Sequence, residues 1–128
     1  MATPFVQPAP RLANTWSADP LLPALLARKL GAARCAALVP EFLELGALAA
    51  GPLLEQQRAE RLHEPQLVQW DAWGERIDRI ELTPLWREAE RLAVRHGLVA
   101  LPYERADGPW SRLRQFALVY LFHPVTDV

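Results

Sequence analysis

Hydrophobic residues recur three and four positions apart along most of this chain and rarely alternate, which predicts helices joined by proline-stiffened connections. Asp19 before Pro20 reads as an N-cap with proline in the first turn, PLLPALLARKL carries the helix, and Gly31 stops it. Residues 34–63 hold two further helical stretches. Pro40 opens EFLELGALAA, whose Phe42, Leu45, Leu48 and Ala49 share a face; Gly51-Pro52 closes it and opens LLEQQRAERLH, where Leu54, Arg58 and Leu62 share one less cleanly. The two stretches form either one kinked helix or, as the Gly-Pro pair favours, two helices with a break. Near 66–82 the pattern changes. Leu67, Trp70, Ile77, Ile80 and Leu82 surround the turn signal Asp71-Ala72-Trp73-Gly74, but Ile77 and Ile80 are three apart, so the segment reads as a short hairpin or an ordered loop.

Thr83 then caps Pro84, and LWREAERLAVRH runs to Gly97. Its apolar stripe of Leu85, Ala89, Leu92, Ala93 and His96 lies opposite Arg87, Glu88, Glu90 and Arg91. The last helix follows Asp107-Gly108-Pro109. Trp110, Leu113, Phe116, Ala117, Tyr120 and Leu121 share a face, while Leu118, Val119 and Phe122 fill the other sides. A helix that is apolar all round needs partners on every side. The amphipathic helix at 84–96 covers one, and Leu118, Val119 and Phe122 are expected to stay uncovered. Pro124 intervenes, and the chain stops at Thr126-Asp127-Val128, the ending expected of a cut domain that self-associates or binds a hydrophobic dye.

The prolines at 4, 8 and 10 make residues 1–18 an extended N-terminal arm, with Phe5, Val6, Leu12 and Trp16 as anchors, ahead of one helical domain at 19–128. A length of 128 residues with 51% hydrophobic and 23% charged residues suits one packed domain and excludes a wholly disordered chain. Fourteen Lys and Arg against fifteen Asp and Glu give a net charge of −1, so no global field draws nucleic acid or anionic lipid. No uninterrupted apolar run has the length of a membrane span, and the start has no basic region followed by an apolar one; the expected setting is the cytoplasm.

Candidate chemistry is sparse. Cys35 is the one cysteine, which excludes an internal disulfide and a cysteine-rich zinc site, and its apolar small-residue surroundings read as a buried inert thiol. His63, His96 and His123 are far apart in sequence and lack ligand spacing; His96 in a last helical turn favours the negative dipole end. Ser17 and Ser111 sit in no nucleophile elbow, and six glycines form no phosphate loop. Glu41/Glu44 and Glu88/Glu90 read as solvated faces with ion pairs rather than acid–base pairs. Trp70, Trp73, Trp86 and Trp110 stand near arginines whose stems and guanidinium planes can cover them. No residue is assigned a catalytic, cofactor-binding or metal-ligating role.

The order of four segments nevertheless resembles the N-terminal region of bacterial acyl-CoA dehydrogenases, in the subgroup similar to the adaptive-response protein AidB. QPAPRLANTWSADPLL resembles the subgroup's proline-rich arm before the first helix. VQWDAWGERIDRIELTPLW resembles its Asp-x-x-Gly-x-Arg-x-Asp pattern followed by Pro-x-Trp, here Asp71, Gly74, Arg76, Asp78, Pro84 and Trp86. HGLVALPYE follows, and FALVYLFHPVTDV resembles the helix leading to the family's flavin-contacting segment. His63-Glu64-Pro65 stands where the family often has Asn-Pro-Pro. Of the pattern residues, Gly74 suits a turn with positive φ, and Arg76 and Asp78 can pair as a clamp on a long connection.

The resemblance implies an all-α N-terminal domain with an extended arm, ending before a flavin-binding β-domain. It implies that the full protein binds FAD and oxidises an acyl-CoA thioester between Cα and Cβ. A glutamate base takes the α-proton and a hydride passes to the flavin. That glutamate belongs to the family's C-terminal helical domain, so this chain alone is expected to be inactive and to hold no FAD. Its part is that of a scaffold and a wall of the acyl pocket. The partners implied are the β-domain, the C-terminal helical domain, the acyl-CoA and a possible homo-oligomer, with no nucleic acid. A non-enzymatic DNA-associated protein of the AidB type and a stand-alone helical interaction module are the alternative readings.

Overall fold

The structure, a computed structural model, describes residues 6–8 and 10–126. Phe5, expected as an anchor, and the terminal Asp127 and Val128 lie outside the described residues. The elements are α1 (Leu21–Leu30), α2 (Ala32–Leu48), a π-helical turn (Ala49–Leu53), α3 (Leu54–Glu60), β1 (Gln66–Trp70), β2 (Arg76–Glu81), α4 (Pro84–Arg95), the single turn α5 (Leu101–Glu104), a 3-10 turn (Gly108–Trp110) and α6 (Ser111–Thr126). The fold is helical with one small antiparallel sheet.

Local chemistry sets the helix ends. The Asp19 carboxylate accepts from the amides of Leu21 (2.7 Å) and Leu22 (3.2 Å), satisfying the first free donors of α1, and Gly31 ends the helix at φ 84°. Thr83 Oγ1 accepts from Trp86 N at 3.3 Å at the start of α4. A second donor there, Leu85 N, is taken at 2.9 Å by Glu60 Oε2 from the end of α3. That bond closes the base from which the hairpin projects.

Prolines 40 and 52 act differently from expectation. Pro40 does not open a helix but sits inside α2, and the helix runs without a break from Ala32 to Glu60. Pro40 and Ala36, whose carbonyl loses its helical donor, are both exposed, so water can serve that carbonyl. At Pro52 the helix widens into the π turn, which relieves the clash a proline ring makes with the preceding turn. Phe42, Leu45 and Ala49 are buried as expected, but the next core residue is Leu53; Leu62 is exposed beyond the end of α3. These 29 residues are long and apolar enough, by length and composition alone, to cross a bilayer. Counting uninterrupted apolar runs missed the helix because Glu41 and Glu44 interrupt it, while its alanines and leucines keep the mean hydropathy high.

The larger correction concerns α6. Leu118, Val119 and Phe122, expected to lie uncovered, are packed inside: Leu118 is 0% exposed, Phe122 is buried and Val119 is half-buried. The helix touches α2, the π turn, α3, α4 and α5, so the amphipathic elements surround it together although each has only one apolar face. The residues left outside are Phe116 (60% exposed) and Tyr120 (55%), two members of the apolar face that also carries Leu113, Ala117 and Leu121. Pro124 does not end the helix, which continues to Thr126.

The N-terminal segment closes one end of the bundle. Residues 15–18 form a turn, and Trp16 is buried against Phe42 with ring centroids 4.8 Å apart; Leu12 is half-buried and Val6 is exposed. Asn14 organises this turn. Its Oδ1 accepts from Trp16 N (3.0 Å) and Ser17 N (3.2 Å), and its Nδ2 donates to Leu43 O on α2 at 2.9 Å. Thr15 Oγ1 donates to Leu121 O on α6 at 2.6 Å.

The segment passes so close to α2 that Gly46 has no room for a side chain: a Cβ there would overlap Asn14 Oδ1 and lie 3.0 Å from Trp16 N. Gly46→Ala is therefore expected to push Asn14 away and lower stability by about 1–3 kcal/mol, despite alanine's better helix propensity. Chemical denaturation measures this; a variant as stable as the parent would contradict the close approach.

The segment near 66–82 is a hairpin. Gln66 pairs with Glu81, Leu67 with Ile80, Val68 with Arg79 and Trp70 with Arg76, so Ile77 and Asp78 oppose the single residue Gln69. This bulge, with Asp78 at φ 42°, explains the failed alternation. The extra residue brings Ile77 and Ile80 to the same side as Leu67. At the tip, Asp71 Oδ1 accepts from Trp73 N (2.8 Å) and Glu75 N (2.9 Å), while Gly74 turns at φ 84°.

Candidate functional site

Among the described residues, two clusters of polar groups and one apolar groove bear on a site. The first cluster is centred on Glu41 of α2. Its Oε1 meets His96 Nδ1 at 2.9 Å, and its Oε2 accepts from Arg114 Nη2 (2.9 Å) and Nε (3.2 Å). Arg114 also donates from Nη1 to Asp107 at 2.9 Å. Burial works against the Arg114 charge, but the bonds to Asp107 and Glu41 outweigh it and raise its pKa above the ordinary range.

Glu41 is thus more than part of a solvated face: it ties α2 to the end of α4 and to α6. Glu44 is paired with Arg95 at 2.7 Å, and Glu88 with Arg91 along α4. His96 is buried and held by Glu41, while its Nε2 has no hydrogen-bond partner among the described residues. This is a clamp, with every charged member engaged by another.

The second cluster is the pattern around Asp71. Arg76 Nε donates to Asp78 at 2.7 Å and Arg79 Nη2 to Glu81 at 2.7 Å, both on the exposed hairpin, and Arg76 lies over the Trp70 ring at 5.9 Å. Asp71 and Gly74 build the tip, and Pro84 and Trp86 begin α4. These residues shape the hairpin and do not converge on a cavity. The three histidines do not come together either, and Cys35 is a buried free thiol on α2. Among the described residues, no three of His, Cys, Asp and Glu gather as metal ligands.

The groove lies between α1 and α6. A cavity of about 500 Å³ is walled by Leu21, Leu22, Leu25, Leu26, Leu113, Phe116 and Ala117, with Asp19 and Tyr120 at one end. Beyond that pair a second cavity of about 570 Å³ continues along the N-terminal segment to the last turn of α6, past Arg11, Leu12, Thr15, His123 and Pro124. Tyr120 OH donates to Asp19 Oδ2 at 2.8 Å, so one hydrogen bond divides the two spaces and ties the start of α1 to α6. The first space can seat an apolar ligand or a helix face. Its described lining pairs no nucleophile with an oriented base.

Sequence reasoning missed this groove. The available signal was LLPALL in α1: two apolar pairs offset by one residue make a face wider than one packing contact uses.

The Asp19 pKa is lowered from 3.8 by the amide of Leu21, then by Tyr120, and that of Tyr120 is raised from 10.0 by its bond to the Asp19 carboxylate. Asp19, depressed in the folded state, contributes stability that is present above about 3.8 and lost as pH falls through its folded value. Tyr120, raised in the folded state, contributes stability that is full below about 10 and lost as pH rises through its folded value. Tyr120→Phe is expected to remove the alkaline loss while leaving the acid loss due to the helix cap. Melting temperatures across pH for parent and variant test this, and identical alkaline profiles would refute the tie.

Comparison with known proteins places this geometry in a family. The family described as "Adaptive response protein AidB N-terminal domain" matches residues 7–127. The Caenorhabditis elegans protein named acyl-CoA dehydrogenase family member 11 is 27% identical over 121 residues, which are 94% of this chain and 20% of that protein. The crystal structure of Caenorhabditis elegans ACDH-11 in complex with C11-CoA superposes with a TM-score of 0.83 at 26% identity, over 100% of this chain and 22% of that one. The apo form of Bd2924 superposes with a TM-score of 0.78 at 32% identity, over 95% of this chain and 24% of that one. This chain spans about a fifth to a quarter of the length of these relatives.

Proposed function

The chain belongs to the AidB N-terminal domain family, and on that premise we propose that it works as the N-terminal helical part of an FAD-dependent acyl-CoA dehydrogenase. The observation that carries the reading is the match of residues 7–127 to a domain that makes up only 20–24% of its relatives. In this reading the remaining four-fifths supplies the flavin site and the catalytic base. The present residues supply a rigid body clamped by Glu41, Arg114 and His96.

The surface assigned to the acyl pocket is the last turn of α6 with the cavity beside it, at Thr15, His123 and Pro124. That end of α6 is where the chain leads onward in the family. The C11-CoA complex of one relative supports an acyl-CoA thioester as the substrate class. The groove between α1 and α6 does not fit a flavin dinucleotide, because the Asp19 carboxylate at its end opposes a pyrophosphate. No redox step is assigned to residues of this chain.

Incubated with excess FAD and gel-filtered, the chain is expected to emerge colourless and to reduce no electron acceptor with acyl-CoA. Joined to the portion of the Caenorhabditis elegans relative that lies beyond its own counterpart of this domain, it is expected to retain flavin. A stoichiometric yellow complex of the chain alone, or a well-folded chimera that leaves flavin unbound, would overturn the reading.

The alternative reading of the AidB resemblance, a DNA-associated protein, has its own test. With a net charge of −1, the chain is expected to show no duplex binding at physiological salt. A saturable, salt-dependent mobility shift would favour that role instead.

A further inference from the structure

We draw no further inference here: the strongest candidate, the apolar groove between α1 and α6 walled by Leu21, Leu25 and Phe116, carries nothing because nothing in the structure shows what covers it.

Discussion

Leu118, Leu121 and Val125 leave no surface to water, and the arrangement of the domain follows from the need to cover them. Each side chain of this kind contributes about 1.5–3 kcal/mol on burial. A helix apolar on almost every side reaches that state only if several elements arrive from different directions. The long helix of residues 32–60 supplies Phe42, Leu45, Ala49 and Leu53, α4 supplies Leu85 and Leu92, and the loop and turn after it supply Leu98 and Leu101. Trp16 closes the end near Phe42. Gly46 belongs to the same constraint: the N-terminal turn can bring Trp16 to the core only where α2 has no side chain in its path.

The polar groups fix this arrangement more than they stabilise it. A partly buried carboxylate is costly to desolvate, and Glu41 meets that cost with Arg114 and His96, from two other helices. The cluster fixes the rotation of α6, since Arg114 must reach Glu41 and Asp107 together. With that rotation set, Phe116 and Tyr120 face outward over α1 and Leu118 faces inward. The groove is therefore a consequence of the clamp. The Asp19–Tyr120 bond then closes one end of it with the same carboxylate that starts α1.

Membership in the AidB N-terminal domain family gives this body a context, because its relatives are four to five times longer. A rigid helical unit with an open apolar groove and a projecting hairpin offers surfaces to other protein, and its polar residues are occupied with one another. The hairpin carries Leu67, Ile77 and Ile80 on one side and Trp73 at its tip, all accessible, on a frame knotted by Asp71.

The ends of α1 and α4 were legible because they are decided by residues close in sequence. Asp19 caps the two amides that follow it, Gly31 and Gly97 take the positive φ that ends a helix, and Thr83 reaches an amide three residues on. The hairpin was legible to the extent that its turn is local, but its bulge was not, because the pairing of Trp70 with Arg76 is a cross-strand choice. The order of four segments was enough to indicate the family.

Three things required the tertiary structure. The tolerance of Pro40 and Pro52 inside one helix depends on an exposed carbonyl and a π turn. The facing of α6 depends on Arg114 finding Glu41 seventy-three residues away, which no helical period reveals. The groove depends on both, since hydrophobic periodicity states which residues share a face but not which of several apolar faces a central helix turns to its neighbours.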